Sequence, residues 1–103
     1  MNTKMYRTEK VNVEEVNKNY ILEYYLIDEE RSFNTGNINY MCYGVEIRMR
    51  EENADNYCES QTADKLFSSK DLAINFLTKL ADCHVTPCTL EDVVSDHLIE
   101  ALV

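Results

Sequence analysis

Residues 40–50 read YMCYGVEIRMR, and apolar side chains alternate with others along the whole stretch. Every second residue from Met41 to Met49 is apolar, whereas the residues between them include Glu46 and Arg48. A period of two over this length is typical of a β-strand with one buried face. We therefore predict a strand at 40–50 in a sheet whose core lies on one side.

Three further segments fit strands of the same sheet. Residues 19–30 are rich in tyrosine and isoleucine, whereas 5–13 and 57–67 are weaker candidates, the last of them a polar edge strand. Residues 31–39 contain asparagine and glycine, which tolerate turn geometry, and 51–56 form the next turn. Connections of this length join strands as hairpins, so neighbouring strands should run antiparallel.

After Phe67 the apolar residues recur at helical spacing. Ser68 or Ser69 can cap a first helix that ends near Asp82, and Thr89 can cap a second one. The predicted apolar stripes are Leu72, Ala73, Phe76, Leu77 and Leu80 in the first helix, and Leu90, Val93, Val94, His97, Leu98, Ala101 and Leu102 in the second. The order ββββαα predicts one α+β domain over residues 1–103, with a four-stranded antiparallel sheet and two C-terminal helices packed on one face.

The 103 residues carry a formal net charge of −9, from 19 acidic and 10 basic side chains. This sign repels phosphate groups, so we expect no direct binding of nucleic acid or of an anionic membrane. No apolar run approaches the roughly 20 residues of a spanning helix, and the first residues lack the apolar segment of a secretory signal. We expect a cytoplasmic protein with reduced cysteines and no cofactor.

Three short motifs resemble a group of uncharacterised bacterial proteins. They are YYLI at 24–27, YGVEI at 43–47 and VTPCTLEDVVSDHL at 85–98. Together with the length of the chain, they are similar to a family of short proteins from anaerobic Gram-positive bacteria that has no assigned activity. The resemblance implies a bacterial, cytoplasmic setting, and it supplies no catalytic or binding residues.

The stretch CHVTPCTLEDVVSDHL at 83–98 contains residue types that bind zinc, namely Cys83, His84, Cys88 and His97. Their spacing matches no common zinc motif, and no oxyanion-donor loop is recognisable beside a Cys88–His84 nucleophile pair. We therefore predict no catalytic, cofactor-binding or metal-binding residues, and a protein that is not an enzyme. The alternative is a small thiol- or metal-dependent protein that uses these four residues.

The outer face of the second predicted helix is acidic, with Glu91, Asp92, Asp96 and Glu100. Like charges four residues apart on a helix repel one another. Such a face can dock a basic partner or be simply solvated. A related alternative is that the acidic chain is a decoy that binds a basic DNA-handling protein.

The strand at 19–30 is largely apolar on both sides. Two helices cover only one side of a small sheet, and if Glu23 marks the uncovered side, then Ile21, Tyr25 and Ile27 form an apolar patch there. Tyrosine-bearing apolar patches are typical of contact surfaces.

The patch has a second interpretation, in which the N-terminal segment or long side chains such as Arg48 cover it. We favour the contact surface and predict an interaction or regulatory module. Its expected partner is another protein or a second copy, with a homodimer formed through the sheet face or an edge strand.

Overall fold

The computed structural model describes residues 2–32 and 39–102, with side chains as far as His97. Strands and helices follow one another in the predicted ββββαα order, which confirms the α+β class. The elements are β1 (Asn2–Val13), β2 (Lys18–Ser32), β3 (Asn39–Glu51), β4 (Glu59–Phe67), α1 (Lys70–Asp82), a 3₁₀ turn (Pro87–Thr89) and α2 (Leu90–Leu102).

The strands form one antiparallel sheet in the order β1-β2-β3-β4. The prediction that 31–39 is a loop is wrong at both ends, because Arg31 and Ser32 belong to β2 and Asn39 begins β3. Residues 33–38 lie outside the described part of the chain. β4 is an edge strand as predicted, although it begins at Glu59.

The core lies between one side of the sheet and α1. The β2–β3 register brings apolar residues of the two central strands side by side, with the pairs Leu22–Met49, Tyr24–Ile47 and Leu26–Val45. The Tyr24 hydroxyl donates a hydrogen bond at 2.9 Å to the carbonyl of Val85, which follows α1 in the chain. This bond links the centre of the sheet to the segment between the helices.

Of the two predicted caps, Ser68 and Ser69, the structure uses Ser69, whose Oγ accepts a hydrogen bond from the Leu72 backbone N–H. The helix also ends at Asp82, as predicted. Its buried residues are Ala73, Phe76, Leu77, Leu80 and Ala81. The assignment of Leu72 to this stripe is wrong, because its side chain is 54% exposed. The buried stripe includes Ala81 instead, so it lies on a slightly different face of the helix.

Helix α2 does not start at a Thr89 cap. Thr86 is extended, Pro87 opens a 3₁₀ turn, and α2 continues from that turn at Leu90. The Thr89 hydroxyl donates to the Thr86 carbonyl instead. Leu90 is buried and Val93 and Val94 pack against the core, while the side chains of the last predicted stripe members lie outside the described ones: Leu98, Ala101 and Leu102.

Candidate interaction surface

The helices cover the side of the sheet that carries Leu22, Tyr24 and Leu26, and they leave the other side uncovered. We call this second side the open face. As the sequence suggested, it carries Glu23. By register the open face includes Thr3, Met5, Thr8 and Lys10 of β1, Ile21, Glu23, Tyr25 and Ile27 of β2, Gly44, Glu46, Arg48 and Arg50 of β3, and Ser60 and Thr62 of β4.

The Glu23 carboxylate lies at the centre of the open face and is 5% exposed. Its Oε1 accepts hydrogen bonds from the Tyr25 hydroxyl at 2.5 Å and from the Tyr57 hydroxyl at 2.7 Å. Its Oε2 lies 3.2 Å from Nε of Arg50. A buried carboxylate is tolerated only when such donors replace water, and here both of its oxygens have them.

The Arg48 guanidinium lies over two aromatic rings. Its central carbon is 4.2 Å from the centroid of Tyr25 and 5.5 Å from that of Tyr57, distances at which cation–π attraction operates. Its Nε is ion-paired with Glu46, and that carboxylate also accepts a hydrogen bond from Thr62 at 3.1 Å. Glu46 therefore binds the edge of the guanidinium, and the tyrosine rings pack against its planar face.

Three short segments supply this network. The register of β2 and β3 places Arg48 opposite Glu23, and Tyr57 comes from the turn between β3 and β4. Arg50 fixes that turn, because its Nη1 donates to the carbonyl groups of Glu52 and Ala54 at 3.2 and 3.5 Å.

The environment of Glu23 acts on its pKa in both directions. Burial alone raises the pKa, but the hydrogen bonds from Tyr25, Tyr57 and Arg50 outweigh it and hold the pKa below its usual range. Burial, and then the hydrogen bond to Glu23, raise the pKa of Tyr25. At neutral pH the carboxylate is therefore ionised and the tyrosine donates.

The predicted interface residues lie on the open face, but two of them contribute little exposed surface. Tyr25 is 8% exposed and Ile27 2%, while Ile21 is half-buried. Arg48 covers the Tyr25 ring, which is the second interpretation that the sequence allowed. The role of these three residues in an interface stays a prediction.

The residues that sequence reasoning missed are Arg50 and Tyr57. Alternation along β3 places Arg50 on the open face, but it does not indicate that its partner is Glu23 on the neighbouring strand. No sequence pattern indicated that Tyr57 belongs to this network, because it precedes β4 and its position depends on how the turn folds.

Cys83 and His97 line one groove between the helices, but His84 and Cys88 do not line it. His84 Nε2 is 3.7 Å from a carboxylate oxygen of Glu9, and Cys88 Sγ is 3.3 Å from the hydroxyl of Thr86. The ring of His97 packs 4.8 Å from that of Phe76, and Cys83 is exposed. Among the side chains described, those of residues 2–32 and 39–97, no three His, Cys, Asp or Glu groups are placed to hold a metal ion.

The predicted acidic face lies on α2, where Glu91, Asp92 and Asp96 are exposed. Glu100 also belongs to α2, but its side chain lies outside the described ones. A docking role for this face stays a prediction.

A protein-family model matches residues 3–100, which include nearly all of the sheet and both helices. The chain belongs to DUF6514, a family of unknown function. No curated protein and no solved structure matches it. The membership confirms the expectation of a family without an assigned activity, and it transfers no functional residue to this chain.

The DUF6514 chain also has a groove of about 250 Å³ between its helices. Phe76, Leu80, Val93 and His97 line it, together with the charged Lys79 and Asp96. No helix in the described part of the chain combines the length and the hydropathy that crossing a membrane requires.

Proposed function

We propose that this DUF6514 chain is a non-enzymatic protein-interaction module that forms a homodimer through the open face. The observation that carries the proposal is the arginine–tyrosine network, in which Arg48 lies over Tyr25 and Tyr57, and both tyrosine hydroxyls bind the buried Glu23.

Arginine and tyrosine are enriched among the residues that contribute most to protein–protein binding. Binding normally costs conformational entropy, because long side chains must be ordered at the interface. In this chain Arg48 and Tyr57 are already held by intramolecular contacts, and Tyr57 is still 43% exposed. A partner would therefore meet an ordered surface.

The dimensions of the molecule leave enough area for a partner on the open face. Its principal extents are 54 × 34 × 18 Å, and its Cα radius of gyration is 15.3 Å, against about 13 Å for a compact domain of similar length. A face with these two longer dimensions has room for the roughly 800 Å² that each partner buries in a stable complex. Met5 and Tyr40 add exposed apolar area at 48% and 41%.

Sedimentation equilibrium over a wide concentration range tests the proposal. We expect the mass to rise from monomer to dimer with concentration. Tyr57→Ala and Arg48→Ala should each weaken the dimer by about 30-fold or more, as expected for a residue at the centre of an interface.

The matched control is Leu72→Ala. Leu72 is a large exposed apolar residue at 54%, but it lies on α1 on the opposite side of the sheet. A chain that stays monomeric at the highest concentration, or a dimer that Leu72→Ala weakens as much as Tyr57→Ala, would contradict the proposal.

A further inference from the structure

The groove between the two helices, which we call the helix groove, combines an apolar floor with charged groups at its rim. The floor is formed by Phe76 and Leu80 of α1, which are 3% and 1% exposed, and by the half-buried Val93 of α2. Lys79 of α1 and Asp96 of α2 also line the groove, and both are exposed. The helix groove therefore presents one cation and one anion beside an apolar surface.

These two charges are not neutralised within the described part of the chain. Among the described side chains, neither Lys79 nor Asp96 forms an ion pair or a hydrogen bond, with each other or with a third residue. In contrast, Arg7, Lys10 and Arg50 each bind a carboxylate of the chain itself. An unpaired cation and an unpaired anion in one groove are complementary to a ligand that carries both charges.

The size of the helix groove suits a small molecule. Its volume is about 250 Å³, slightly below the roughly 300–1,000 Å³ of pockets that hold drug-sized ligands. A second hollow of about 380 Å³ adjoins it, because Phe76, Lys79 and His97 line both. The apolar side chains that line only this second hollow leave room for the apolar part of a ligand, and they are Leu66, Phe67 and Leu72.

We propose that the helix groove binds a free α-amino acid with an apolar side chain. The ligand carboxylate binds the Lys79 ammonium, the ligand ammonium binds the Asp96 carboxylate, and the apolar side chain packs against Phe76 and Val93. The long, flexible stem of Lys79 lets its ammonium follow the ligand into the groove. This site lies on the helix side of the sheet, so the inference does not depend on the dimer proposed for the open face.

Other occupants fit the helix groove less well. A ligand with a carboxylate alone brings like charge to Asp96, and a ligand with an ammonium alone brings like charge to Lys79. A second copy of the chain could pair Lys79 of each copy with Asp96 of the other across a twofold axis. The floor, however, is recessed between exposed side chains, so a small ligand enters it more easily than a broad protein surface does.

Titration of the ¹⁵N-labelled full chain with four ligands, followed by amide chemical shifts, tests the inference. L-leucine carries both charges and an apolar side chain. Isoamylamine lacks the carboxylate, 4-methylpentanoate lacks the ammonium, and glycine lacks the side chain. We expect L-leucine to bind with a Kd on the order of 1 mM, as suits a ligand of its size, and to shift amides of α1 and α2. The two singly charged ligands should bind about three- to fivefold more weakly, and glycine should show no saturable binding.

Variants of the two charged residues show which ligand group each one binds. Lys79→Gln should abolish the difference in affinity between L-leucine and isoamylamine, because the carboxylate then has no partner to lose. Asp96→Asn should likewise abolish the difference between L-leucine and 4-methylpentanoate. Lys70→Gln and Asp92→Asn remove the same charges from the same two helices, but neither residue lines the groove. Both differences should persist in these control variants.

Several outcomes would overturn the inference. They are the absence of L-leucine binding, equal binding of all four ligands, and shifts that concentrate on β1 instead of α1 and α2. Affinity differences that the groove variants leave intact, or that the control variants abolish equally, would also overturn it. A dimer that Lys79→Gln weakens, in a chain that L-leucine does not bind, would show that a second copy occupies the helix groove instead.

Discussion

The two sides of β2 bury neighbouring residues by different means. On the side facing α1, Leu22 and Tyr24 are fully buried in an apolar core. On the open face, Tyr25 and Glu23 are 8% and 5% exposed, although no helix covers them. A single sheet with one helical layer can therefore bury individual residues on its uncovered face as well, provided that long side chains lie across them.

The two sides should respond differently to solution conditions. Burial against α1 is driven by the transfer of apolar surface from water, which depends little on pH or salt. Burial on the open face depends on an ionised Glu23, two arginines and tyrosine hydroxyls. The ionic network on the open face is therefore sensitive to protonation of Glu23. Removing one member of the network leaves a buried charged or polar group without its hydrogen-bond partner.

The largest effect is expected when Leu22 is compared with its neighbour Ile21. Leu22→Ala leaves a cavity in the core and should lower the free energy of unfolding by about 3 kcal/mol. Ile21→Ala removes a half-buried side chain from the open face and should cost about 1 kcal/mol. Urea unfolding of both variants measures the difference. Equal losses would show that the open face packs as tightly as the core.

The next largest effect is expected at Gly44, where the open face comes close to β4. A Cβ added to Gly44 would lie 2.5 Å from the carbonyl oxygen of Ala63 and 2.6 Å from the Cα of Asp64. Because these are backbone atoms, the strands must separate, and Gly44→Ala should cost about 2–3 kcal/mol.

The expected mechanism can be checked by hydrogen exchange, which should show faster exchange in β4 than in β1. Ala54→Gly, which removes a methyl group from the turn, is a control for small substitutions near the same hairpin. A Gly44→Ala chain as stable as the wild type would show that β4 can shift without loss.

The strands and the first helix could be predicted because their signals are local. The alternation at 40–50 and the Ser69 cap both depend on residues close in sequence, and both are confirmed. The start of α2 was mistaken for the same reason. Thr89 is a good capping residue, but Pro87 had already begun a helical turn.

The candidate surface could be predicted only in part. Alternation placed Glu23, Tyr25 and Arg48 on one face once the helices were assigned to the other. Which arginine pairs with which carboxylate depends on the register between strands, and Tyr57 depends on the path of a turn. Periodicity therefore indicates which side of a strand a residue occupies, but not whether a distant residue covers it.

A smaller, pH-dependent effect is expected from Glu23→Gln. The pKa of Glu23 is held below its usual range in the folded chain, so the unfolded chain binds the proton first as the pH falls. The stabilisation is therefore complete above the ordinary pKa of about 4.3, and it is lost as the pH falls through the lower folded value. At pH 7 the substitution should cost about 2 kcal/mol.

Urea unfolding of the wild type and of Glu23→Gln between neutral and acid pH measures this effect. The two stabilities should approach one another as the pH falls. Glu14→Gln, at an exposed position in the turn after β1, controls for the loss of one carboxylate and should keep the pH dependence of the wild type. A constant difference between wild type and Glu23→Gln would contradict the assigned role.

The smallest effect compares the hydroxyls of two adjacent tyrosines. Tyr25→Phe removes a charge-assisted hydrogen bond to Glu23, and should cost about 1.5 kcal/mol. Tyr24→Phe removes a neutral hydrogen bond to the Val85 carbonyl, and should cost about 1 kcal/mol. The two losses should separate with pH, because only the first depends on an ionised partner. Unfolding measurements at neutral and at acid pH should therefore show the cost of Tyr25→Phe shrinking while that of Tyr24→Phe stays constant. If both costs change together, the two sides of β2 are coupled through the strand, and the contrast between an apolar face and an ionic face does not hold.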